Sequence, residues 1–372
     1  LLERHRQEHG EFPRNIALVI WGTSNMRTGG DEIAQAIWLW GCEPVWEEAS
    51  GRVVDFRILP LSLLGRPRAD VLLRVSGLFR DAFGDTMRLL ATIPKRLAEL
   101  DEPPEMNAVR ASFLREREQL SLRGITDGEA SRQWPLRVFS SGPGCYGTGL
   151  LPLIDAGNWE TSRDLAEVFC KWGSHAYGSD GIAEERPDLL RTLLAQVEVV
   201  HQNQDNREHD ILDSDDYFQF QGGLRAAVQA LGGTAPATYH GDSSRPEQPK
   251  VRTLREELVR VIRSRVLNPR WIEAMRRHGY KGAFEMGATV DYLFGYSATT
   301  QLVEDHHFEE VARALLLHPD QRAFFERHNP AAMLEATERL LEARARGLWR
   351  SPPPDTITEL EELLLETQGQ LE

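Results

Sequence analysis

Short apolar runs alternate with amphipathic stretches over the first 140 residues, and this alternation limits the fold more than any other feature. Residues 16–21 are an apolar run that ends at Gly22-Thr23-Ser24. Residues 32–40 follow with helical spacing, and 53–59 and 70–75 have the length and branching of strands. Residues 79–100 carry a helical apolar period, which Asp101-Glu102-Pro103-Pro104 ends. A further strand at 136–139 precedes a glycine-rich turn. Strands and helices taken in turn imply βαβ units and a mostly parallel, Rossmann-like sheet.

The second half changes period. Residues 189–200, 223–231, 254–267, 271–278, 285–294, 308–316, 320–327 and 330–346 all have helical spacing. A last acidic helix at 358–367 follows Pro352-Pro353-Pro354, and the stretch 232–250, with its Gly, Pro and Ser, suits a loop or hinge. The expected fold is α/β: a parallel-sheet N-terminal half, then a mostly α-helical C-terminal half. The expected division is an α/β domain at 1–160, a mixed region at 161–250 and a helical domain at 251–372; a chain of 372 residues has room for that.

Charge narrows the function. Lys and Arg number 43 against 57 Asp and Glu, a net charge of −14. That balance argues against a nucleic-acid groove and against an anionic membrane surface, and is compatible with cation binding. Cys42, Cys145 and Cys170 are widely separated and odd in number, which fits neither a zinc ribbon nor a disulfide framework. A reducing, cytoplasmic setting is expected. No apolar stretch has the length of a membrane span, and no signal-peptide pattern opens the chain. The first residue is Leu1 rather than Met, so a piece of a longer protein is expected.

The segment 201–217, His-Gln-Asn-Gln-Asp-Asn-Arg-Glu-His-Asp-Ile-Leu-Asp-Ser-Asp-Asp-Tyr, places two histidines and six carboxylates directly after an apolar run. Carboxylates would supply charge to a divalent cation, and imidazoles would shift preference toward cobalt, nickel or zinc. The alternative is a solvated acidic loop with helix caps. Other motifs have equally plain alternatives. The glycine-dense stretch 140–149 lacks the lysine and hydroxyl of a phosphate loop, and suits a tight turn or a backbone lying against a flat ligand. Gly22-Thr23-Ser24-Asn25 either lines a crevice at a strand's carboxyl end or caps a helix. Arg66, Arg68, Arg74 and Arg80 either hold a carboxylate-bearing substrate or form local ion pairs, as Arg80 does with Asp81. His175, beside Tyr177, and His278, in a last helical turn, have structural readings, and the adjacent His306 and His307 cannot share one helical face.

Several long strings carry a resemblance. Ile20-Trp21-Gly22-Thr23, Leu64-Gly65-Arg66-Pro67-Arg68-Ala69-Asp70-Val71, Ser76-Gly77-Leu78-Phe79-Arg80-Asp81 and Leu267-Asn268-Pro269-Arg270-Trp271 resemble the large subunit shared by magnesium chelatases and aerobic cobaltochelatases. So do Arg339-Leu340-Leu341-Glu342-Ala343 and Arg346-Gly347-Leu348-Trp349. The resemblance runs from about Pro13 to the end and matches the C-terminal part of a much longer subunit. The stretch from Gln204 to Tyr217 is similar to the cobalt-inserting branch, as are 143–149 and 176–178. The magnesium branch tends to lack histidine at the positions of His175, His201, His209 and His278.

The resemblance implies ATP-dependent insertion of Co2+ into a corrinoid, hydrogenobyrinic acid a,c-diamide. It further implies two AAA+-type partner subunits that hold ATP and Mg2+, since this chain has no Walker motif. His201, Asp205, His209, Asp210, Asp213 and Asp215 are then expected to hold or deliver the metal, with Glu208 and His175 as proton acceptors. Arg66, Arg68, Arg74 and Arg80, with Tyr146 and Tyr177, are expected at the tetrapyrrole. A magnesium chelatase large subunit acting on a porphyrin, a non-catalytic portion that closes over substrate or docks partners, and a corrin or haem carrier are the alternatives.

Overall fold

The apolar run after Asn15 becomes strand β1 (Asn15–Ile20), fully buried from Ile16 onward. The computed structural model describes residues 1–122, 124 and 135–371. Within it, two strands β2 (Cys42–Trp46) and β3 (Val53–Ile58) form a separate antiparallel pair. The strand expected at 53–59 therefore stays out of the main sheet.

Among the described residues, that main sheet has eight strands. Besides β1 it contains β4 (Asp70–Val75), β5 (Val138–Ser140), β6 (His175–Tyr177), β7 (Ala183–Glu185), β8 (Val199–Gln204), β9 (Ala237–Asp242) and β10 (Lys250–Thr253). Their order is β10-β9-β8-β1-β4-β5-β6-β7. The pairs β9–β8, β8–β1, β1–β4 and β4–β5 are parallel, while β5–β6 and β6–β7 are antiparallel. All six residues of β4 are buried, as expected where a parallel sheet is covered on both faces.

Two expectations change here. The run 189–200 is not one helix: helix Pro187–Leu194 ends, and Val199 and Val200 begin β8. The β-branched pair lies in register with Ile16 and Ala17 of β1, and burial in the sheet outweighs the helical period before it. The stretch 232–250 is not only loop, because β9 pairs along β8 from Ala237 to Asp242.

The chain forms two compact units, each discontinuous in sequence. The first comprises Leu1–Pro152, Arg163–Asn206 and Leu224–Val251. It contains the sheet and an apolar core that joins Ile16, Leu18 and Ile20 to Ile37, Leu90, Ile93 and Val199. The second comprises Leu153–Ser162, Arg207–Gly223 and Arg252–Glu372. It is helical. Proline opens the helices Pro269–Arg276, Pro319–His328 and Pro330–Ala345, where a missing N–H costs nothing. The preceding Asn268, His318 and Asn329 side chains accept the first free amides. The 22-residue helix Gly279–Thr300 is buried along most of its last three turns. None of the described helices is long and apolar enough to cross a membrane.

Candidate functional site

The acidic segment belongs to both units, because the chain passes from the first to the second after Asn206. Its opening residues are sheet. His201 lies in β8 with none of its surface exposed, and its Nε2 stands 2.9 Å from Asn203 Oδ1. Burial pulls its imidazole down to about 3, so it is neutral near pH 7 and serves the core. Asp205 accepts a two-pronged bond from Arg27, at 2.6 and 2.9 Å. Burial raises the Asp205 carboxyl, but the Arg27 guanidinium outweighs that and holds it below its ordinary value. His201 is enclosed by strand pairing, and Asp205 is held by Arg27.

In the second unit the segment makes a tight turn. The Asp213 amide donates to Asp210 O at 3.0 Å, and the Leu212 amide to Asp210 Oδ1 at 2.9 Å. Arg265 binds both carboxylates. Its Nε and Nη2 reach Asp210 at 2.7 and 2.9 Å, and its Nη1 reaches Asp213 at 2.9 Å. Burial and the neighbouring Asp210 raise the Asp213 carboxyl, and Arg265 offsets part of that rise. Asp215 begins a short helix capped by Ser214 and accepts from Gln219 Nε2 at 2.8 Å. Asp210 and Asp215 are thus occupied in shaping the turn.

Glu208, His209 and Asp213 are brought together. They line a cleft of about 410 Å³. Trp271 and Met275 of the helix Pro269–Arg276 form a second wall. His278, Lys281, Gly282 and Glu285 complete it. Gly282 is required there, since a Cβ would fall 1.8 Å from Met275 O. Lys281 Nζ pairs with Glu285 at 2.7 Å. Among the described residues, no three His, Cys, Asp or Glu side chains converge into a ready-made cage. The cleft is an open wall of mixed oxygen and nitrogen donors.

The residues expected at a tetrapyrrole fall in the first unit, and most turn inward. Arg66 donates to the carbonyls of Leu39, Pro67 and Trp38. Arg68 pairs with Glu102 at 2.8 Å and donates to Gly41 O. Arg74 donates to Val75 O and sits 5.4 Å from the Phe169 ring. Arg80 spans the glycine-dense loop, donating to Ser141 O, Gly142 O and Cys145 O at 2.7–3.1 Å while pairing with Asp81. These four guanidiniums hold backbone and core, where the sequence reading expected them at a tetrapyrrole. Tyr177 is likewise buried and donates to Ser141 O at 3.0 Å. His175 lies against Gly142, where a Cβ would meet its ring at 3.0 Å. Tyr146 alone among this group is well exposed, at 59%, with its hydroxyl on Asp81 at 2.7 Å.

The sequence does not single out Trp271, His278 and Glu285 as site residues, nor Arg265 behind them. His278 carries a visible signal, a histidine at a helix boundary, but the dipole argument explains it equally well. Glu32 gives no signal either. It is buried near the end of β1 and accepts from Trp21 N, Ser24 Oγ and Asn25 Nδ2 at 2.7–2.9 Å. Burial pushes its carboxyl up to about 8 despite those donors. The segment after β1 is therefore the first turn of a short helix, Gly22–Thr28, that Glu32 ties down through its first residues.

The family model described as CobN/Magnesium Chelatase matches residues 1–356. The aerobic cobaltochelatase subunit CobN of Pseudomonas aeruginosa is 51% identical over 368 residues, 99% of this chain and 29% of the relative. A magnesium-chelatase subunit of Chlorobaculum parvum is 35% identical over 374 residues, covering 100% of this chain and 29% of that protein. Among solved structures, the catalytic subunit of cobaltochelatase from Mycobacterium tuberculosis superposes with a TM-score of 0.95 at 49% identity, covering 99% of this chain and 31% of that one. The chain thus spans less than a third of the length of these relatives.

Proposed function

Because this chain belongs to the CobN/magnesium chelatase family, we propose that it takes part in inserting Co2+ into a tetrapyrrole, with the cation handled in the cleft of Glu208, His209 and Asp213. The carrying observation is that His209 and His278 line the same cleft as Glu208, Asp213 and Glu285. Imidazole nitrogen favours cobalt over magnesium, which keeps hard oxygen ligands and its waters. The higher identity to a cobaltochelatase subunit than to a magnesium chelatase subunit supports the same direction.

The openness of the cleft suits a cation that is cargo. Insertion strips water from the ion and then releases it to the ring, so a closed high-affinity cage would oppose the second step. Glu208 and His209 are exposed and can exchange for water on the ion. Insertion also removes two protons from the ring nitrogens. Glu208 is the proposed acceptor: after it has released the ion to the ring, its carboxylate can serve as general base. His175, which lies against Gly142 in the loop that also carries the exposed Tyr146, is the proposed second acceptor. The proposed ring is the corrinoid hydrogenobyrinic acid a,c-diamide, and the proposed energy source is ATP hydrolysed with Mg2+ on two AAA+-type partner subunits.

Calorimetric titration of the chain with Co2+ and Mg2+ tests this reading. Co2+ is expected to bind more tightly than Mg2+, and a His209→Ala/His278→Ala variant is expected to lose at least about tenfold in Co2+ affinity while Mg2+ binding changes little. Equal Co2+ affinity in the variant would move the cation elsewhere.

A further inference from the structure

One guanidinium reaches three walls of the cleft. Arg265 lies in the π-helical turn Ile262–Val266 and is 14% exposed. It binds both carboxylates of the acidic turn, Asp210 in two-pronged fashion and Asp213 through Nη1. The same Nη1 lies 3.3 Å from Thr289 Oγ1, which in turn donates to the backbone carbonyl of Glu285 at 2.9 Å. Its guanidinium carbon lies over the Trp271 ring, 5.0 Å from the centroid. Two carboxylates, a hydroxyl and an indole are thus tied by one rigid fork, and only arginine offers donors in that fixed plane together with a stacking face.

We propose that Arg265 is the positioning residue of the cation cleft: it fixes the acidic turn against Trp271 and the Glu285–Thr289 turn, and so keeps the turn that carries Glu208, His209 and Asp213 in place along the cleft wall. The inference rests on the reading of the cleft as the cation site. Arg265 itself carries positive charge and touches no cation; it acts through the groups it holds. A partner of this kind typically governs metal affinity by about 10- to 100-fold.

The test uses Arg265→Lys, which keeps the charge but not the fork, and Thr289→Val, which removes one link and leaves the ion pairs. Co2+ titration of wild type, both variants and His209→Ala is combined with thermal melting of each. Arg265→Lys is expected to weaken Co2+ binding about 10- to 100-fold. Thr289→Val is expected to weaken it in the same direction by less, with a melting midpoint close to wild type. If His209→Ala loses Co2+ while Arg265→Lys and Thr289→Val bind it as wild type does, the positioning role is overturned and the cleft reading stands. If His209→Ala also binds Co2+ as wild type does, the cleft reading falls and this inference with it. Should Arg265→Lys fail to fold, unchanged affinity in Thr289→Val overturns the proposal, and a loss supports it.

Discussion

His201 and Glu32 are held in the uncharged form by burial, and they make stability depend on pH with opposite signs. The His201 imidazole falls from its ordinary 6.5 to about 3. Its contribution is full above pH 6.5 and is lost as pH falls toward 3, because the unfolded chain takes up a proton that the folded chain refuses. The Glu32 carboxyl rises from 4.5 to about 8. Its contribution is full below pH 4.5 and is lost as pH rises through 8. Denaturant midpoints followed across pH are therefore expected to fall less steeply on the acid side in His201→Gln, and less steeply on the alkaline side in Glu32→Gln. Unchanged slopes would mean that water reaches these groups. The same two residues show where reading side chains from sequence stops. His201 stands in a run of acids, which suggests a ligand, but β8 is a sheet strand buried on both faces, so the side chain is enclosed. Glu32 sits in an apolar helix start, and nothing in the string shows that three donors converge on it.

Among the elements, the contact between helix Pro269–Arg276 and helix Gly279–Thr300 depends on one missing side chain. A Cβ at Gly282 would lie 1.8 Å from Met275 O, a backbone atom that cannot rotate away. Gly282→Ala is expected to destabilise the second unit by about 1–3 kcal/mol and to weaken Co2+ binding, since both residues line the cleft. Gly369→Ala, with nothing within 4 Å, is the comparison; it is expected to be neutral or to stabilise by up to about 1 kcal/mol. A neutral Gly282→Ala would show that the helices separate freely. The helices of this unit are legible in sequence because caps and prolines mark their starts: Thr253 with Glu256, and Asn268 before Pro269. The strands β8 and β9 are not. No Gly or Pro separates Leu194 from Val199, so helix and strand read as one run. The Gly and Pro flanking β9 mask a short stretch whose strand character comes from pairing along β8.

Over the whole chain, sequence order and spatial grouping part company. The expected helical domain at 251–372 is most of the second unit but lacks two inserts, Leu153–Ser162 and Arg207–Gly223. Those inserts are short and polar, with no linker composition to mark a boundary, so periodicity alone could not assign them. Yet they supply partners that the helices need. Arg339 pairs with Asp155 at 2.7 Å. Arg346 donates to Gly157 O and lies 4.0 Å from the Trp159 ring, which meets Phe294 edge-on. Arg265 takes both its carboxylates from the second insert. A fragment cut as 252–372 would keep all three arginines and lose these partners. Arg265, only 14% exposed, would be stripped of Asp210 and Asp213 together, and removing the partners of a mostly buried charge is costly. Such a fragment is expected to melt broadly, without a cooperative transition in circular dichroism, and to bind Co2+ far more weakly than the whole chain, because Glu208, His209 and Asp213 are gone with the insert. Cooperative melting and full Co2+ affinity in the fragment would instead place the cation on His278 and Glu285 alone, and would reduce the acidic segment to the solvated loop that its composition first allowed.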